Sequence, residues 1–398
     1  AGNGDHQGSG RVGGDGVMKV SLTDICDFQG GTQPPKDEWI DQPAQGYVRM
    51  LQIRDFTQSD KNYIEYVKDT GKLKTCIEDD ILIGRYGASI GKILTGLAGA
   101  YNVAIVKTIP DEKVVSKKYL YWYLNSQYFQ RFISNVGSRA AQAGFNKNDL
   151  GAAQIPLVDK ERQEEICEVL EKANKLISLR KQQLAKLDEL IKARFVEMFG
   201  TFPANPFRWD TGKIQDVVLD VRYGSSRPAV EGGKYPYLRM NNITYSGELD
   251  LRDTKRIDIP DSELDKCTVR RGDVLFNRTN SKELVGKTCV YNRDELMVLA
   301  GFVIRVRINE RIRPEVLSAF LNMDFSKRML IGMCKTAIGQ ANINAKELQN
   351  IDIYIPPIEL QDQFVTLKNK VDQQKQTVQQ SLEKLELMKK ALMQEYFG

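Results

Sequence analysis

The residues of this sequence that are best suited to chemistry are polar side chains in six glycine-containing loops. Arg, Lys, Asn, Gln, Ser and Thr dominate these loops, and such side chains grip phosphates and read base edges in nucleic-acid complexes. Glycine lets a backbone approach a duplex closely. The loops are residues 29–36, 84–92, 137–149, 222–229, 277–287 and 335–347. Any single loop is equally well explained as a surface turn, but their matched order in two halves of the chain favours binding.

The candidate nucleic-acid contacts come from these loops and from short polar segments that follow strand-like runs. In the first half they are Gln29, Thr32, Gln33, Lys36, Arg54, Arg85, Tyr86, Ser89, Lys92, Arg139, Gln142, Asn146 and Lys147. In the second half they are Arg222, Tyr223, Ser225, Ser226, Arg227, Arg239, Asn241, Asn242, Asn277, Arg278, Thr279, Asn280, Lys282, Lys287, Lys335, Gln340, Asn342, Asn344 and Lys346. Because the two sets differ in residue type, they predict two readers with different specificity.

A single histidine, His6, restricts the catalytic chemistry open to the chain. It lies in the Gly/Asp-rich stretch 1–17, which lacks an apolar period and which we interpret as a flexible tail or a tag. The remainder contains no histidine, so Ser-His-Asp hydrolysis, H-E-x-x-H proteolysis and histidine general-base catalysis are excluded. A nuclease site built from carboxylates and Mg²⁺ stays open as a hypothesis.

Other patterns with catalytic associations are incomplete. Residues 284–288 read LVGKT, like the end of a P-loop, but Ser281 occupies the place of the first glycine. Six cysteines are scattered without a C-x-x-C pair, which predicts reduced thiols rather than disulfides or zinc ligands. We therefore expect no cofactor and no metal on this chain.

Length and charge set the class of protein. A chain of 398 residues, 41% hydrophobic and 27% charged, predicts two or three globular domains. No apolar run is long enough to span a membrane and no signal peptide is evident, so we expect a cytoplasmic protein. The net charge of +5 is a weak signal alone, but the helical tails described next are neutral, which leaves the positive excess in the globular segments, where a polyanion would bind.

The chain is an internal duplication. Residues 142–200 align with residues 340–398 without a gap, and 17 of the 59 positions are identical. Earlier segments match more loosely, for example YVRMLQIRDFT (47–57) with YPYLRMNNIT (235–244). Each repeat is thus a divergent globular segment followed by a closely matched tail.

Each tail is predicted to be a long helix with the heptad period of a coiled coil. The helices are expected to begin just after Pro156 and Pro357 and to end at Phe-Gly. Proline is favoured at the start of a helix and glycine at its end. The apolar residues that recur with this heptad period form a seam along each helix, and Met388 is assigned to it. The main seam residues are Leu170, Ile177, Leu184, Leu187, Ile191, Phe364, Val371, Val378, Leu385 and Leu392.

The order globule, helix, globule, helix predicts the architecture. Short strand-like runs and one helical stretch in each globule, at 116–136 and 313–333, indicate mixed α/β domains. We predict an α+β protein in which two pseudo-two-fold-related globular domains are separated by two long helices that form an antiparallel coiled coil. The alternative is that each helix packs on its own globule. The predicted boundaries are 1–17 for the tail, 18–155 for the first domain, 156–200 for the first helix, 201–355 for the second domain and 356–398 for the second helix.

The duplicated tails also carry a family resemblance. Each helix is introduced by IPLVDKERQEEI (155–166) or IYIPPIELQDQF (353–364) and is closed by MFG or YFG. Together with the six loops, this pattern resembles the DNA specificity (S) subunit of type I restriction–modification systems over essentially all of residues 18–398. Only the Gly/Asp-rich N-terminus departs from the pattern.

The resemblance implies a function and partners. Each globule would be a target recognition domain that reads one half of a bipartite, asymmetric site in double-stranded DNA, and the helices would set the spacer length and dock two methyltransferase (M) subunits. Restriction/motor (R) subunits would join later. The subunit itself would not be catalytic, because S-adenosylmethionine and ATP would be bound by the partner subunits. The competing hypothesis is a coiled-coil adaptor that holds two interaction domains apart and binds no nucleic acid.

Overall fold

A computed structural model describes residues 11–12, 18–58, 63–139, 144–337 and 340–398, with no side-chain description at 11–12, 137–139, 335–337 and 340. The chain divides into two compact units. The first unit comprises residues 1–179 and 381–398, and the second comprises residues 180–380. Most of the predicted N-terminal tail lies outside the described residues.

The first unit is built of short strands with helices around them. Its strands are β1 (Arg11–Val12), β2 (Met18–Ser21), β3 (Cys26–Gly30), β4 (Tyr47–Leu51), β5 (Tyr66–Lys68), β6 (Thr75–Cys76), β7 (Leu82–Gly84), β8 (Ile93–Leu94), β9 (Gly99–Tyr101), β10 (Ile105–Pro110) and β11 (Gln154–Leu157). Its helices are α1 (Leu22–Ile25), α2 (Ile53–Thr57), α3 (Lys117–Leu124), α4 (Gln127–Arg139), α5 (Lys147–Leu150) and the first half of α6 (Lys160–Phe199).

The second unit has a similar succession of strands and helices. Its strands are β12 (Asp210–Lys213), β13 (Val218–Tyr223), β14 (Tyr235–Leu238), β15 (Lys255–Ile257), β16 (Thr268–Val269), β17 (Val274–Asn277), β18 (Thr279–Asn280), β19 (Thr288–Val290), β20 (Met297–Leu299), β21 (Val303–Ile308), β22 (Lys335–Ala337), β23 (Gln340–Asn342) and β24 (Asp352–Ile355). Its helices are the second half of α6, α7 (Asp261–Cys267), α8 (Pro314–Asn322), α9 (Asp324–Met333), α10 (Ala345–Gln349) and the first part of α11 (Ile358–Phe397), which ends in the first unit. Helix α7 and the small sheet β18-β23-β22 are additions to the succession of the first unit.

The two units share one sheet topology. A four-stranded sheet has the order β3-β10-β7-β8 in the first unit and β13-β21-β17-β19 in the second. A second sheet has the order β5-β4-β9-β6 or β15-β14-β20-β16, and its central pair is parallel in both units. An antiparallel pair, β2 with β11 or β12 with β24, joins the start of each globular segment to its end. This repeated order agrees with the duplication in the sequence.

The mixed α/β architecture with two long helices is confirmed, with two differences in detail. Helix α6 begins at Lys160 rather than directly after Pro156, because Pro156 lies in β11. Each stretch predicted as one helix is in fact two helices, so that prediction was wrong. The stretch 116–136 divides at Ser126, whose Oγ accepts from the Phe129 amide at 3.2 Å and caps α4. The stretch 313–333 divides at Met323, whose backbone is extended.

Within each unit the parts of α6 and α11 run antiparallel. In the first unit the Arg162 guanidinium lies 5.9 Å from the Tyr396 ring centre, and Lys389 donates to Asn174 at 2.7 Å. In the second unit the rings of Phe195 and Phe364 are 5.5 Å apart. A coiled coil formed by the whole helices stays a prediction.

Most residues of the predicted seam are buried or half-buried. Met388 is the exception among the residues assigned to it: its side chain is 46% exposed, so that assignment was wrong. Leu170, Ile177, Phe364, Val371 and Val378 are buried, and Leu184, Leu187, Ile191, Leu385 and Leu392 are half-buried.

Several identical residues of the two tails have the same structural role. Buried Gln163 accepts from the Ser116 amide at 2.9 Å, and buried Gln361 accepts from the Arg313 amide at 2.8 Å, so each ties its long helix to the start of a globular helix. The phenylalanine of each Phe-Gly end is also buried. Phe397 packs on Tyr119 in the first unit and Phe199 on Phe195 in the second.

Across the described part of the chain, every helix is too short or too polar to cross a lipid bilayer.

Candidate nucleic-acid interface

In the first unit, the three predicted loops come together around Arg85. Its Nε donates to the Phe145 carbonyl at 2.8 Å, and Tyr86 forms a β-bridge with Gly144. The first loop lies beside the same arginine, because a Cβ on Gly30 would be 3.9 Å from an Arg85 Nη, and its Gln29 side chain accepts from the Tyr101 hydroxyl at 3.0 Å. Loops separated by more than a hundred residues in sequence therefore form one surface.

The second unit assembles its loops in the same way around Arg278. An Nη of Arg278 donates to Asn342 Oδ1 at 3.1 Å, and β18 pairs with β23 at Thr279 and Asn342. The Tyr223 hydroxyl accepts from the Ala345 amide at 2.9 Å. Loops 222–229, 277–287 and 340–347 thus meet in one surface as well.

Both central arginines lie over a tyrosine ring. The Arg85 guanidinium is 5.0 Å from the centre of the Tyr86 ring, and the Arg278 guanidinium is 4.9 Å from the centre of the Tyr223 ring. No described carboxylate forms an ion pair with either arginine. Each guanidinium is therefore held by an aromatic ring and a neutral acceptor while its charge is free to meet an anion.

A glycine in each unit allows the first loop to touch the neighbouring sheet. A Cβ on Gly31 would lie 2.1 Å from the Asn102 carbonyl oxygen, and a Cβ on Gly224 would lie 2.1 Å from the Leu299 carbonyl oxygen. The next residue of each loop bonds the end of that strand, Thr32 to Tyr101 at 3.0 Å and Ser225 to Leu299 at 2.7 Å. Only glycine fits such a close approach of two backbones.

Several of the other predicted cations are paired with acidic side chains. Glu65, whose side chain is 6% exposed, accepts from Lys36 at 2.8 Å and also from Arg54. Arg227 binds Glu263 with two hydrogen bonds of 2.7 and 3.3 Å, and this contact lowers the pKa of the Glu263 carboxyl. The remaining pairs are Lys147 with Asp27, Arg222 with Asp220 and Arg239 with Asp253.

Five predicted contacts are placed in the interior, where they hold the loops: Ser225, Asn242, Asn277, Thr279 and Lys287. Asn242 donates to the carbonyls of Asp250 and Asp253, and Lys287 donates to the carbonyl of Met240 at 3.0 Å. Burial lowers the pKa of Lys287.

Two further asparagines of the predicted set cap short helices. Asn146 Oδ1 accepts from the Asp149 amide at 3.1 Å and starts α5, and Asn344 Oδ1 accepts from the Lys346 and Glu347 amides at 2.9 Å and starts α10. This shared role explains why the two repeats have asparagine here.

The predicted residues outside the interior, including those just described, are either exposed or half-buried. Exposed are Gln33, Lys36, Tyr86, Lys92, Asn146, Lys147, Arg222, Tyr223, Ser226, Arg227, Asn241, Lys282, Asn342 and Lys346. Half-buried are Gln29, Thr32, Arg54, Arg85, Ser89, Arg239, Arg278, Asn280 and Asn344. Gln142 lies outside the described residues, and the side chains of Arg139, Lys335 and Gln340 lie outside the described side chains.

Sequence reasoning missed residues that support or border these surfaces. Glu65 organises Lys36 and Arg54, and Tyr237 donates to the carbonyls of Ser225 and Arg227 at 3.0 Å. Phe302, 52% exposed, lies in a turn that carries the backbone partner of Arg278. No separate signal in the sequence marked Phe302, because it stands within the strand-like run 301–308.

Among the residues that the structure describes, no three or more His, Cys, Asp or Glu side chains form a group that could hold a metal ion.

Comparison with known proteins places the chain in a family. A family model described as the type I restriction modification DNA specificity domain matches residues 14–189 and again residues 206–387. The chain is 21% identical over 278 residues to the type I restriction enzyme EcoKI specificity subunit of Escherichia coli K12, a match that spans 66% of this chain but only 60% of that subunit. It is 24% identical over 402 residues to the MjaVIII specificity subunit of Methanocaldococcus jannaschii, spanning 94% of this chain and 90% of that subunit.

The fold is similar to that of a solved specificity subunit. The S subunit of the type I restriction–modification system of M. genitalium superposes with a TM-score of 0.54 at 15% identity, covering 98% of each chain. With the family model matching twice across both units, the chain belongs to the type I restriction–modification DNA specificity family.

Proposed function

We propose that this chain is the DNA-recognising specificity subunit of a type I restriction–modification enzyme. Each unit reads one half of a split site in double-stranded DNA. The observation that carries the proposal is the repeated surface in which an arginine without a carboxylate partner lies over a tyrosine, at the meeting point of three polar loops.

The chemistry of these surfaces suits a duplex. An arginine held in one plane can donate two parallel hydrogen bonds to the O6 and N7 atoms of guanine, and an asparagine can pair with adenine in the same manner. Exposed lysines in the same loops as the arginines, Lys92 in the first unit and Lys282 in the second, are suited to phosphates. Backbone contacts of this kind position a protein, while the base-edge contacts provide specificity.

The two halves of the site differ in sequence under this proposal. Arg85 lies over the residue that follows it and bonds a backbone carbonyl, whereas Arg278 lies over a tyrosine from another loop and bonds an asparagine side chain. Because the groups around the two arginines differ, the base pairs they favour differ as well. The site is therefore asymmetric.

The remaining parts of the enzyme come from other chains. Two methyltransferase subunits dock on this chain and bring S-adenosylmethionine, and restriction/motor subunits bring ATP. The chain itself binds neither cofactor and catalyses neither reaction, and its two long helices set the spacing between the half-sites. Family membership and the loop surfaces support this assignment.

A non-nucleic-acid adaptor is the competing function, and salt dependence separates the two. Binding of the full chain to a fluorescent random-sequence duplex is measured between 50 and 200 mM salt, conditions in which phosphate contacts lose affinity steeply. The proposal predicts a linear fall of log affinity with log salt, shallower by about one unit after Lys92→Ala. Arg271→Ala, which removes a cation already paired with Asp294, is the control and leaves the slope unchanged. Absence of salt-dependent duplex binding contradicts the proposal.

A further inference from the structure

A phenylalanine lies at the exposed tip of a turn between two of the proposed reading loops. Phe302 is 52% exposed, in the turn from Ala300 to Val303 that joins β20 to β21. The Gly301 amide donates to the Ser225 carbonyl at 2.7 Å, and the Arg278 amide donates to the Phe302 carbonyl at 3.0 Å. The turn is therefore bonded to loop 222–229 on one side and to loop 277–287 on the other.

The fold does not require an aromatic side chain at this position. In the first unit the equivalent carbonyl belongs to Ala104, which accepts from the Arg85 amide at 2.8 Å. An alanine thus supports the same backbone bond to the same arginine. The ring of Phe302 is about half exposed to solvent, and the hydrogen bonds of the turn are made by backbone atoms and do not involve it.

The surroundings of Phe302 identify what this ring would meet. Its backbone partner Arg278 lies over Tyr223, which is 44% exposed, and Asn342 on the next loop is exposed too. All three are suited to base edges or phosphates. The 5-methyl group of thymine is the one apolar group that base pairs present in the major groove, and phenylalanine is among its usual contacts.

We propose that Phe302 contacts a thymine 5-methyl group in the half-site read by the second unit, an inference that rests on the proposed function. The contact gives that half-site a preference for thymine through an aromatic ring that the first unit lacks, because Ala104 stands in its equivalent turn. Phe302 is in this sense a specificity-determining residue.

Deoxyuridine provides the test, because it lacks only the methyl group of thymine. A duplex is first selected from a random library by the wild-type full chain, and each thymine is then replaced singly by deoxyuridine. Wild type is expected to lose about fourfold in affinity at one thymine, the loss that one unburied methyl group causes. This thymine is expected to fall in the half-site that Arg278→Ala weakens.

The variant Phe302→Ala is expected to bind the thymine duplex about fourfold more weakly and to show no further loss with deoxyuridine at that position. Phe302→Leu, which keeps an apolar side chain, retains part of the discrimination and covers the case in which the alanine variant does not fold. Leu296→Ala is the matched control: Leu296 is 51% exposed and precedes β20, whereas Phe302 follows that strand. It leaves the discrimination intact.

Two results overturn the inference without touching the proposed function: wild-type affinity of Phe302→Ala for the thymine duplex, or undiminished discrimination against deoxyuridine by that variant. The first of these, together with weakened assembly with methyltransferase subunits, would show that Phe302 contacts a protein instead. Failure of the wild-type chain to select any duplex would contradict the proposed function itself, so the two failures are distinguishable.

Discussion

Two buried lysines in the second unit have no carboxylate partner among the described residues. Lys327 donates to the Gly286 carbonyl at 2.9 Å, and Lys287 donates to the carbonyls of Met240 and Ile243. Burial, with the nearby charge of Lys287, lowers the pKa of Lys327 to about 8. In the first unit the equivalent glycine carbonyl, that of Gly91, accepts from the neutral amide of Gln130 at 2.9 Å.

Lys327 is expected to make the stability of the second unit depend on pH. Its pKa is about 8 in the folded state and ~10.4 in the unfolded chain, so the unfolded state binds more protons between these values. The free energy of unfolding therefore rises as the pH increases from about 8 to 10. Lys327→Gln, which copies the first unit, removes most of this rise and stabilises the unit by roughly 1–2 kcal/mol at pH 7.

The measurement is urea unfolding at several pH values in a Trp39→Phe, Trp122→Phe background. Trp209 then reports on the second unit, because the chain has three tryptophans. Equal pH dependence of Lys327→Gln and its parent would contradict the role assigned to this lysine.

At the residue scale, the sequence predicted residue types better than residue roles. Arg85 and Arg278 lie where their loops meet, and their contact with DNA stays a prediction. The sequence could not distinguish exposed Lys92 from buried Lys287 at matching places in the two repeats, because the burial of a side chain depends on what the rest of the unit packs against it. Nor could it separate a capping asparagine from a base-reading one, since both need the same amide group.

Among the structural elements, the first reading loop of the second unit depends on Gly224. A Cβ there would lie 2.1 Å from the Leu299 oxygen and 2.4 Å from the Ala300 oxygen, both of which are backbone atoms that cannot move aside cheaply. Gly224→Ala is therefore expected to destabilise the second unit by about 1–3 kcal/mol and to displace Tyr223 and its arginine.

Gly332→Ala is the control for this prediction, because no atom lies within 4 Å of a Cβ at that helical position. It is expected to stabilise the unit by about 0.5–1 kcal/mol. Unfolding followed through Trp209 measures both effects, and equal stability of the two variants would show that the loop does not need this close approach.

A second element-scale feature is the ion cluster that ties α6 and α11 to a loop of the second unit. Lys375 on α11, 11% exposed in its side chain, contacts the carboxylates of Asp188 on α6 and Glu248 in the loop after β14. Burial alone would lower the pKa of Lys375, but the hydrogen bonds that its ammonium donates to these two carboxylates raise it. In the first repeat the aligned residue is Ile177, so the cluster is particular to the second unit.

Lys375→Met is expected to cost about 1–3 kcal/mol, since it leaves two carboxylates facing each other without their cation. Lys368→Met, which removes a pair within one helix, is the control and costs less than about 0.5 kcal/mol. A double-mutant cycle with Glu248→Gln on the Trp209 signal measures the coupling. No coupling would mean that the loop is held by its other contacts alone.

The elements themselves were largely accessible from sequence. Strand-like runs are evident in the sequence at 47–53, 80–84, 104–109, 235–240, 273–277 and 301–308, and each contains a strand. Alternating or continuous apolar residues report directly on burial. The two predicted helical stretches were wrong only in being unbroken. Ser126 ends the first part of one stretch by capping α4, and the extended backbone of Met323 interrupts the other. The spacing of apolar residues reveals neither break. Pro156 was expected to precede the first turn of a helix but lies in a strand. Proline is tolerated both at the start of a helix and in an edge strand, so the residue alone does not decide between them.

For the whole molecule, the duplication was the most informative signal. Identical residues such as Gln163 and Gln361 make the same bonds in the two units, and the sheets repeat in the same order. The reading loops diverge over this shared scaffold. Sequence could predict that two related readers exist, but the bases they prefer depend on side-chain placement to fractions of an ångström.

The proposed spacer role of the helices makes a prediction at this scale. Inserting seven residues, one heptad, at matching positions of α6 and α11 keeps their apolar register and is expected to lengthen the unspecified gap of the target site while both half-sites stay the same. Selection of duplexes from a random library by the variant chain measures the gap. An unchanged gap would refute the spacer role and leave the two readers in place.

The most direct test of the central claim is the target site itself, obtained by selecting random duplexes with the full chain and with two single variants. Wild type is expected to select two specified blocks separated by an unspecified gap. Arg85→Ala relaxes one block and Arg278→Ala relaxes only the other, each costing about 1–3 kcal/mol on its own half-site. A single contiguous block, or equal relaxation of both blocks by either variant, would contradict the central claim.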